Sequence, residues 1–222
     1  MDVDIRDSAS LKPPELDVLS QVLQAAGNSL TDSVIDDQVE RFPRVSVVTD
    51  EAEVVGFLFG SLERIGGTPC VLWGLGAARA NGSSDTVLEA MTTELYRRAA
   101  ISFPDEDVLV AGRFVRPGLY RLFDGLQDPV PRPGYKASGE DRAWGRRLAK
   151  RYGCDARYDD RAFCATGNGR AEPMLDIDIG QDALPAVAGL LADLDPARGD
   201  SIIAFGWAAA ESLAAVLARN GR

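Results

Sequence analysis

The 222-residue sequence contains no histidine. Without imidazole there is no Ser-His-Asp or Cys-His nucleophilic relay and no His-ligated metal site. Proton transfer near neutral pH then falls to carboxylates, tyrosine, cysteine, a substrate amine or water. Cysteine is scarce: Cys70, Cys154 and Cys164 form no Cys-x-x-Cys pair. That argues against a disulfide framework or zinc knuckle and suits a reducing compartment. No apolar run approaches the length of a membrane span, and MDVDIRDSAS is no apolar signal segment, so the cytoplasm is the expected location and no membrane partner is expected. Positive charge is also short. Lys and Arg number 24 against 34 Asp and Glu, a net charge of -10, which disfavours general nucleic-acid binding because phosphates are repelled.

What is present is a globular composition: 45% hydrophobic and 26% charged residues, enough to bury a substantial core in one domain. After DVDIR, a candidate short strand, Pro13 and Pro14 open a helix in which Leu16, Leu19, Leu23 and Ala26 recur until Gly27. A second helix starts near Ser33 and stops at Pro43. RVSVVTD, VVGFLFGSLER and CVLWGLGAA, joined by the turns DEAE and IGGTP, predict three strands of an antiparallel meander. From Ser84 the period lengthens, with Val87, Leu88, Met91, Leu95 and Ala99 on one helix face. DVLVAGRFV predicts a strand, PGLYRLFDGL a short helix and QDPVPRPGYKASGE a loop. A basic helix follows at about 140–152, then strands at DRAFCATGNG and MLDIDIG. ALPAVAGLLADL and SIIAFGWAAAESLAAVLAR complete the sequence, the latter as strand then helix.

A strand that enters a long helix and returns to a strand is a crossover, so the strands near 71–78 and 107–115 are expected to be parallel neighbours. The expected fold class is α/β (α+β), a mixed, mostly antiparallel sheet with helices on both faces. Residues 1–180 form the main domain and 181–222 a strand-and-helix extension packed on it, with dimerisation an alternative use of that extension.

Chemistry concentrates at Arg79-Ala80-Asn81-Gly82-Ser83-Ser84, between the third meander strand and the long helix. Backbone N–H groups at a helix start bind phosphate, and Gly82 leaves room for close approach. The same serines also favour ordinary capping. In this setting the chain resembles the GNAT acyltransferase superfamily, whose pyrophosphate loop reads Gln/Arg-x-x-Gly-x-Gly/Ala. Arg79 and Gly82 match. Ser84 departs from Gly/Ala, and Asp85 brings a negative charge to the first helical turn.

The resemblance implies acetyl-coenzyme A as co-substrate, with no metal. Arg79, Gly82, Ser83 and Ser84 would hold the pyrophosphate. The backbone of Leu72, Trp73, Gly74 and Leu75 would pair with the pantetheine arm and polarise the thioester carbonyl. It further implies transfer of the acetyl group to a primary amine, either a small amine or a peptide N-terminus or lysine, by direct attack in a ternary complex. Tyr120 would protonate the departing thiolate and Glu63 would serve as base. Each has a plainer reading: Tyr120 as a packed aromatic beside Leu119 and Phe123, Glu63 as a solvated carboxylate, Cys70 and Cys164 as core residues. The stripe Arg142, Arg146 and Lys150 reads as a solvated face. The acceptor pocket is expected in loops 27–33 and 127–139. A catalytically inactive domain that senses acyl-coenzyme A, or an interaction module, remains the alternative.

Overall fold

Branched and aromatic residues build the sheet strand by strand. In this computed structural model, which describes every residue except 29, 31, 32, 81, 82, 181–184 and 220–222, β1 (Asp2–Asp7), β2 (Arg44–Asp50), β3 (Glu53–Ile65) and β4 (Thr68–Ala78) form the antiparallel meander. Its turns use left-handed backbone at Glu51, Ala52, Gly66 and Gly67. The crossover helix α3 (Ser84–Ser102) returns to β5 (Val108–Phe114), which lies parallel to β4 as expected.

The remaining strands are β6 (Gln127–Val130), β7 (Tyr158–Asp159), β8 (Cys164–Ala165) and β9 (Ser201–Ala208). The sheet order is β1-β2-β3-β4-β5-β9-β8-β7, with β6 also on β9. The stretch from 181 onward, expected as an added strand and helix, thus places β9 inside the sheet between β5 and β8. Helix α6 (Ala210–Arg219) lies against α3.

The first helix, α1 (Pro13–Ala25), opens on a proline, and Glu15 accepts from the Lys12 N–H at 2.8 Å. Helix α2 (Ser33–Arg41) stops before Pro43, and α4 (Gly139–Tyr152) is capped reciprocally by Ser138 and Asp141. Helix α5 (Pro185–Leu191) follows. Phe42, just past α2, packs on Tyr152 of α4 and over Gly74 on one face of the sheet. Leu95 and Tyr96 of α3 pack over Gly60 and Trp73 on the other. The expected fold class is therefore present: a mixed, mostly antiparallel sheet with helices on both faces.

Three local expectations differ. QDPV, read as loop, is β6, paired through Gln127 with Trp207 and Val130 with Phe205. DRAFCATGNG keeps only Cys164–Ala165 as strand, because Phe163 adopts a φ of +58° that breaks extension just before it. MLDIDIG joins no ladder; Leu175 forms single parallel bridges to both Gly76 and Phe114.

Candidate active site

The parallel pairing of β4 and β5 runs from Cys70–Leu109 to Trp73–Gly112 and then ends, although both strands continue. Each is held by its other neighbour. A register shift near Leu58 and Gly60 turns β4 with β3, while β5 stays with β9 through Phe114 opposite Ile202. The result is a fork that opens toward the start of α3, the place where the sequence reading put a thioester arm.

The chain itself runs through this fork. Residues 173–179, here called the strap, lie parallel to both strands. The Leu175 N–H donates to the Arg113 carbonyl and the Asp176 N–H to the Gly76 carbonyl, each at 3.0 Å. The strap enters beside Trp73, Gly74 and Arg113, around a cavity of about 10 Å³, room for one water. It leaves at a cavity of about 410 Å³ lined by Ala80, Ser84, Asp85, Asp176 and Asp178. Leu175, Ile177, Met174 and Ile179 are buried. A fully buried aliphatic side chain stabilises by roughly 1.5–3 kcal/mol, so Leu175 and Ile177 alone hold the strap with an energy comparable to a good part of the ~8 kcal/mol of a micromolar ligand.

Polar groups pin the strap at both ends. Asp176 accepts from Arg116 Nε and, at 3.1 Å, from Asn28 Nδ2, while Arg116 also reaches Asp178 at 3.4 Å. At the root, the buried Arg113 of β5 donates to Glu172 at 2.7 Å, to Ser201 Oγ at 2.8 Å and to the Gly199 carbonyl at 3.2 Å, and Arg157 takes the other Glu172 oxygen at 2.7 Å.

Asp200, just before β9, accepts from the Gly167 and Asp195 N–H groups and from Arg198. Burial pushes its carboxyl up, but these donors outweigh burial and hold it below the usual aspartate range. A depressed folded-state value stabilises fully above the unfolded value of about 3.9 and is lost as pH falls through the folded one. Asp200→Asn is therefore expected to flatten the loss of stability as pH falls below about 4, read by urea titration at each pH. An unchanged slope would refute the assignment.

The sequence-derived residues fall in several places. Leu72 lies inside the β4–β5 ladder opposite Ala111, Trp73 forms its last pair with Gly112, and Gly74 and Leu75 follow at the fork. The Leu75 N–H donates to Gln38 Oε1 of α2 at 3.3 Å. A Cβ on Gly74 would meet the Phe42 ring at 2.7 Å, and one on Gly76 would meet Leu175 at 2.7 Å. These two glycines admit the protein's own side chains.

Arg79 follows β4 and donates through Nε to the Val54 carbonyl at 2.9 Å. Ser83 and Ser84 open α3, with Ser84 buried, and Gly82 lies outside the described residues. Tyr120, in the 3-10 turn Pro117–Phe123, donates its hydroxyl to the Pro131 carbonyl. Burial pushes its phenol up to about 12. Glu63 carries a two-point pair with Arg151 of α4 at 2.7 and 3.0 Å. It pairs with Cys70, six residues along β4 from Gly76, about 20 Å away at strand rise. Tyr120 and Glu63 are thus each bound to partners of their own.

Burial raises the Cys70 and Cys164 thiols to about 11; Cys70 is a core residue, whereas Cys164 is half-buried and packs against the core. On α4, Arg146 pairs with Asp160 and Arg147 lies 4.8 Å over Trp144. Among the described residues no helix is long and apolar enough to cross a membrane, and no cluster of three metal-ligating side chains occurs.

Sequence reasoning did not single out Gln38, Asn28, Arg113 or Asp176. An arginine inside the apolar run DVLVAGRFV was the available signal for Arg113. The apolar-polar alternation of MLDIDIG was the signal for the strap.

No family model and no curated protein matches the sequence. Solved structures similar to it include acetyltransferases. They include the ribosomal-protein-S18-alanine N-acetyltransferase from Escherichia coli, with TM-score 0.49 and 10% identity over 93% of this chain and 94% of that one. A GNAT family acetyltransferase from Brucella melitensis, in complex with acetyl-CoA, has TM-score 0.40 and 15% identity over 57% and 83%. The aminoglycoside 6'-N-acetyltransferase from Enterococcus faecium has TM-score 0.41 and 16% identity over 52% of this chain, and the match spans only 63% of that chain.

Proposed function

We propose that this chain is a coenzyme A-linked N-acyltransferase, moving an acetyl group from acetyl-coenzyme A to a primary amine. The observation that carries the reading is the fork: β4 and β5 part after Trp73 and Gly112 and leave a slot in which an extended, amide-bearing chain bonds both edges. A pantetheine arm is also an extended chain with amides, and the slot leads to the N-terminus of the 19-residue α3, where peptide dipoles favour a diphosphate. Residues 79–84 would take that diphosphate. The acceptor would enter beside Gly27 and Asn28, which line a cavity of about 450 Å³ with Arg116 and Met174.

In this reading the Leu75 N–H, turned out at the strand irregularity, holds the thioester oxygen in place of Gln38. The amine nitrogen bonds the carbonyl carbon and gives up a proton to water, the carbon–sulfur bond breaks, and the sulfur takes a proton. Tyr120 carries its proton at neutral pH, as any phenol does, with burial raising it further to about 12, and it would supply that proton after leaving Pro131. Tyr120→Phe is expected to lower kcat by about a hundredfold or more with KM for the thioester unchanged. Full turnover in that variant would remove Tyr120 from the mechanism.

A second reading, a non-catalytic domain of the same shape, is favoured by the full burial of Leu175 and Ile177 in the slot and by Asp85, Asp176 and Asp178 around the outer cavity. Acetyl-coenzyme A titrated into the full chain separates the two. Under acyl transfer the melting temperature rises with ligand and an amine panel consumes thioester. Absence of both at millimolar ligand selects the second reading.

A further inference from the structure

We propose that residues 173–179 are an intramolecular competitor for the acyl-arm slot, so that the protein rests closed and coenzyme A enters only as the strap leaves. This regulation rests on the acyl-transfer reading of the same slot. The strap copies an extended ligand in direction, bonding and charge. It runs parallel to β4 and β5, and its N–H groups at Leu175 and Asp176 take the free carbonyls of Arg113 and Gly76. Leu175 Cδ1 lies 2.7 Å from where a Cβ on Gly76 would be. At the outer end Asp176 and Asp178 line the cavity shared with Ala80 and Ser84 at the start of α3, so negative charge stands beside the position a diphosphate would need.

The strap is joined to the rest of the fold by groups that can let go separately. Its root, Glu172, is fixed by Arg113 and Arg157. Its outer half is held by the Asp176 contacts to Arg116 and Asn28, and Arg116 is partly open to solvent. Breaking the outer latch thus leaves the root in place. A slot open in only a fraction of molecules binds its ligand more weakly by that fraction, so any change that loosens the strap tightens coenzyme A binding.

The test uses the full chain, with coenzyme A as probe, calorimetry for affinity and hydrogen exchange for the Leu175 and Asp176 amides. Asp176→Asn removes the charge that meets Arg116 while keeping the shape, and Leu175→Ala, the riskier variant for folding, shrinks the buried anchor. Coenzyme A is expected to bind each at least tenfold more tightly than the wild type, and saturating ligand should deprotect both amides. Equal affinity in wild type and variants, or binding with the amides still protected, overturns the competition and leaves acyl transfer standing. If no binding occurs even in a variant whose strap amides exchange freely, both the competition and the acyl-transfer reading fall.

Discussion

Replacing Arg113 with methionine is expected to cost about 3–5 kcal/mol of folding stability, the usual result of breaking a buried ion pair from one side. The guanidinium is 5% exposed and Glu172 13%. Methionine fills much of the volume but leaves Glu172 with Arg157 as its cation, and it strips Ser201 Oγ and the Gly199 carbonyl of their donor. Unfilled acceptors in the interior are what make the loss large. Because Arg113 ties β5 to the root of the strap and to the approach to β9, the loss should appear as one cooperative transition in guanidinium titration. A change under about 1 kcal/mol would mean that the pair contributes little.

Trp73→Ala should rank beside it, at about 3–5 kcal/mol. Trp73 is wholly buried at the crotch of the fork, edge-on to Phe123 at 5.5 Å and to Tyr96 at 6.3 Å. Its ring fills the space above Gly112, where a Cβ would approach it to 2.9 Å. Removing the ring leaves a cavity between the sheet, α3 and the 3-10 turn, and it takes away the wedge where the two strands separate. Phenylalanine should recover most of the loss, since the indole Nε1 has no acceptor among the described residues. Denaturant midpoints of both variants test this, and a phenylalanine variant as weak as the alanine one would refute it. The residue was singled out in the sequence for its backbone, yet its side chain has the larger structural task.

The meander and the crossover to β5 were legible because their signals are local. Each strand carries its own branched and aromatic run, and Gly66 and Gly67 mark the tight turn between β3 and β4. The basic helix expected at about 140–152 is present as α4, capped by Ser138 and Asp141 at its start and by Gly153 at its end. Interior partners were not legible. SIIAFGWA reads as a buried strand, but nothing near it says that Phe114 pairs with Ile202, 88 residues away.

The candidate site was legible as a place but not as an occupied one. The strand-loop-helix pattern located the start of α3, the resemblance pointed to the backbone of β4, and the fork opens beside that strand. That MLDIDIG would enter the slot depends on Leu175 matching Gly76 and on Asp176 meeting Arg116 and Asn28, complementarity between segments distant in sequence. The same holds for Gln38 on the Leu75 N–H.

The interior placement of β9 has a consequence for synthesis on the ribosome. Val108 waits for Ala208 before β5 gains its antiparallel neighbour, and closing so long a loop delays pairing. Until residue 208 clears the exit tunnel, a nascent chain can assemble the meander and α3 but presents β5 as a bare, apolar strand edge. Translation that stalls between β5 and β9 should therefore yield aggregation-prone fragments, and arrested chains released beyond residue 208 should stay dispersed.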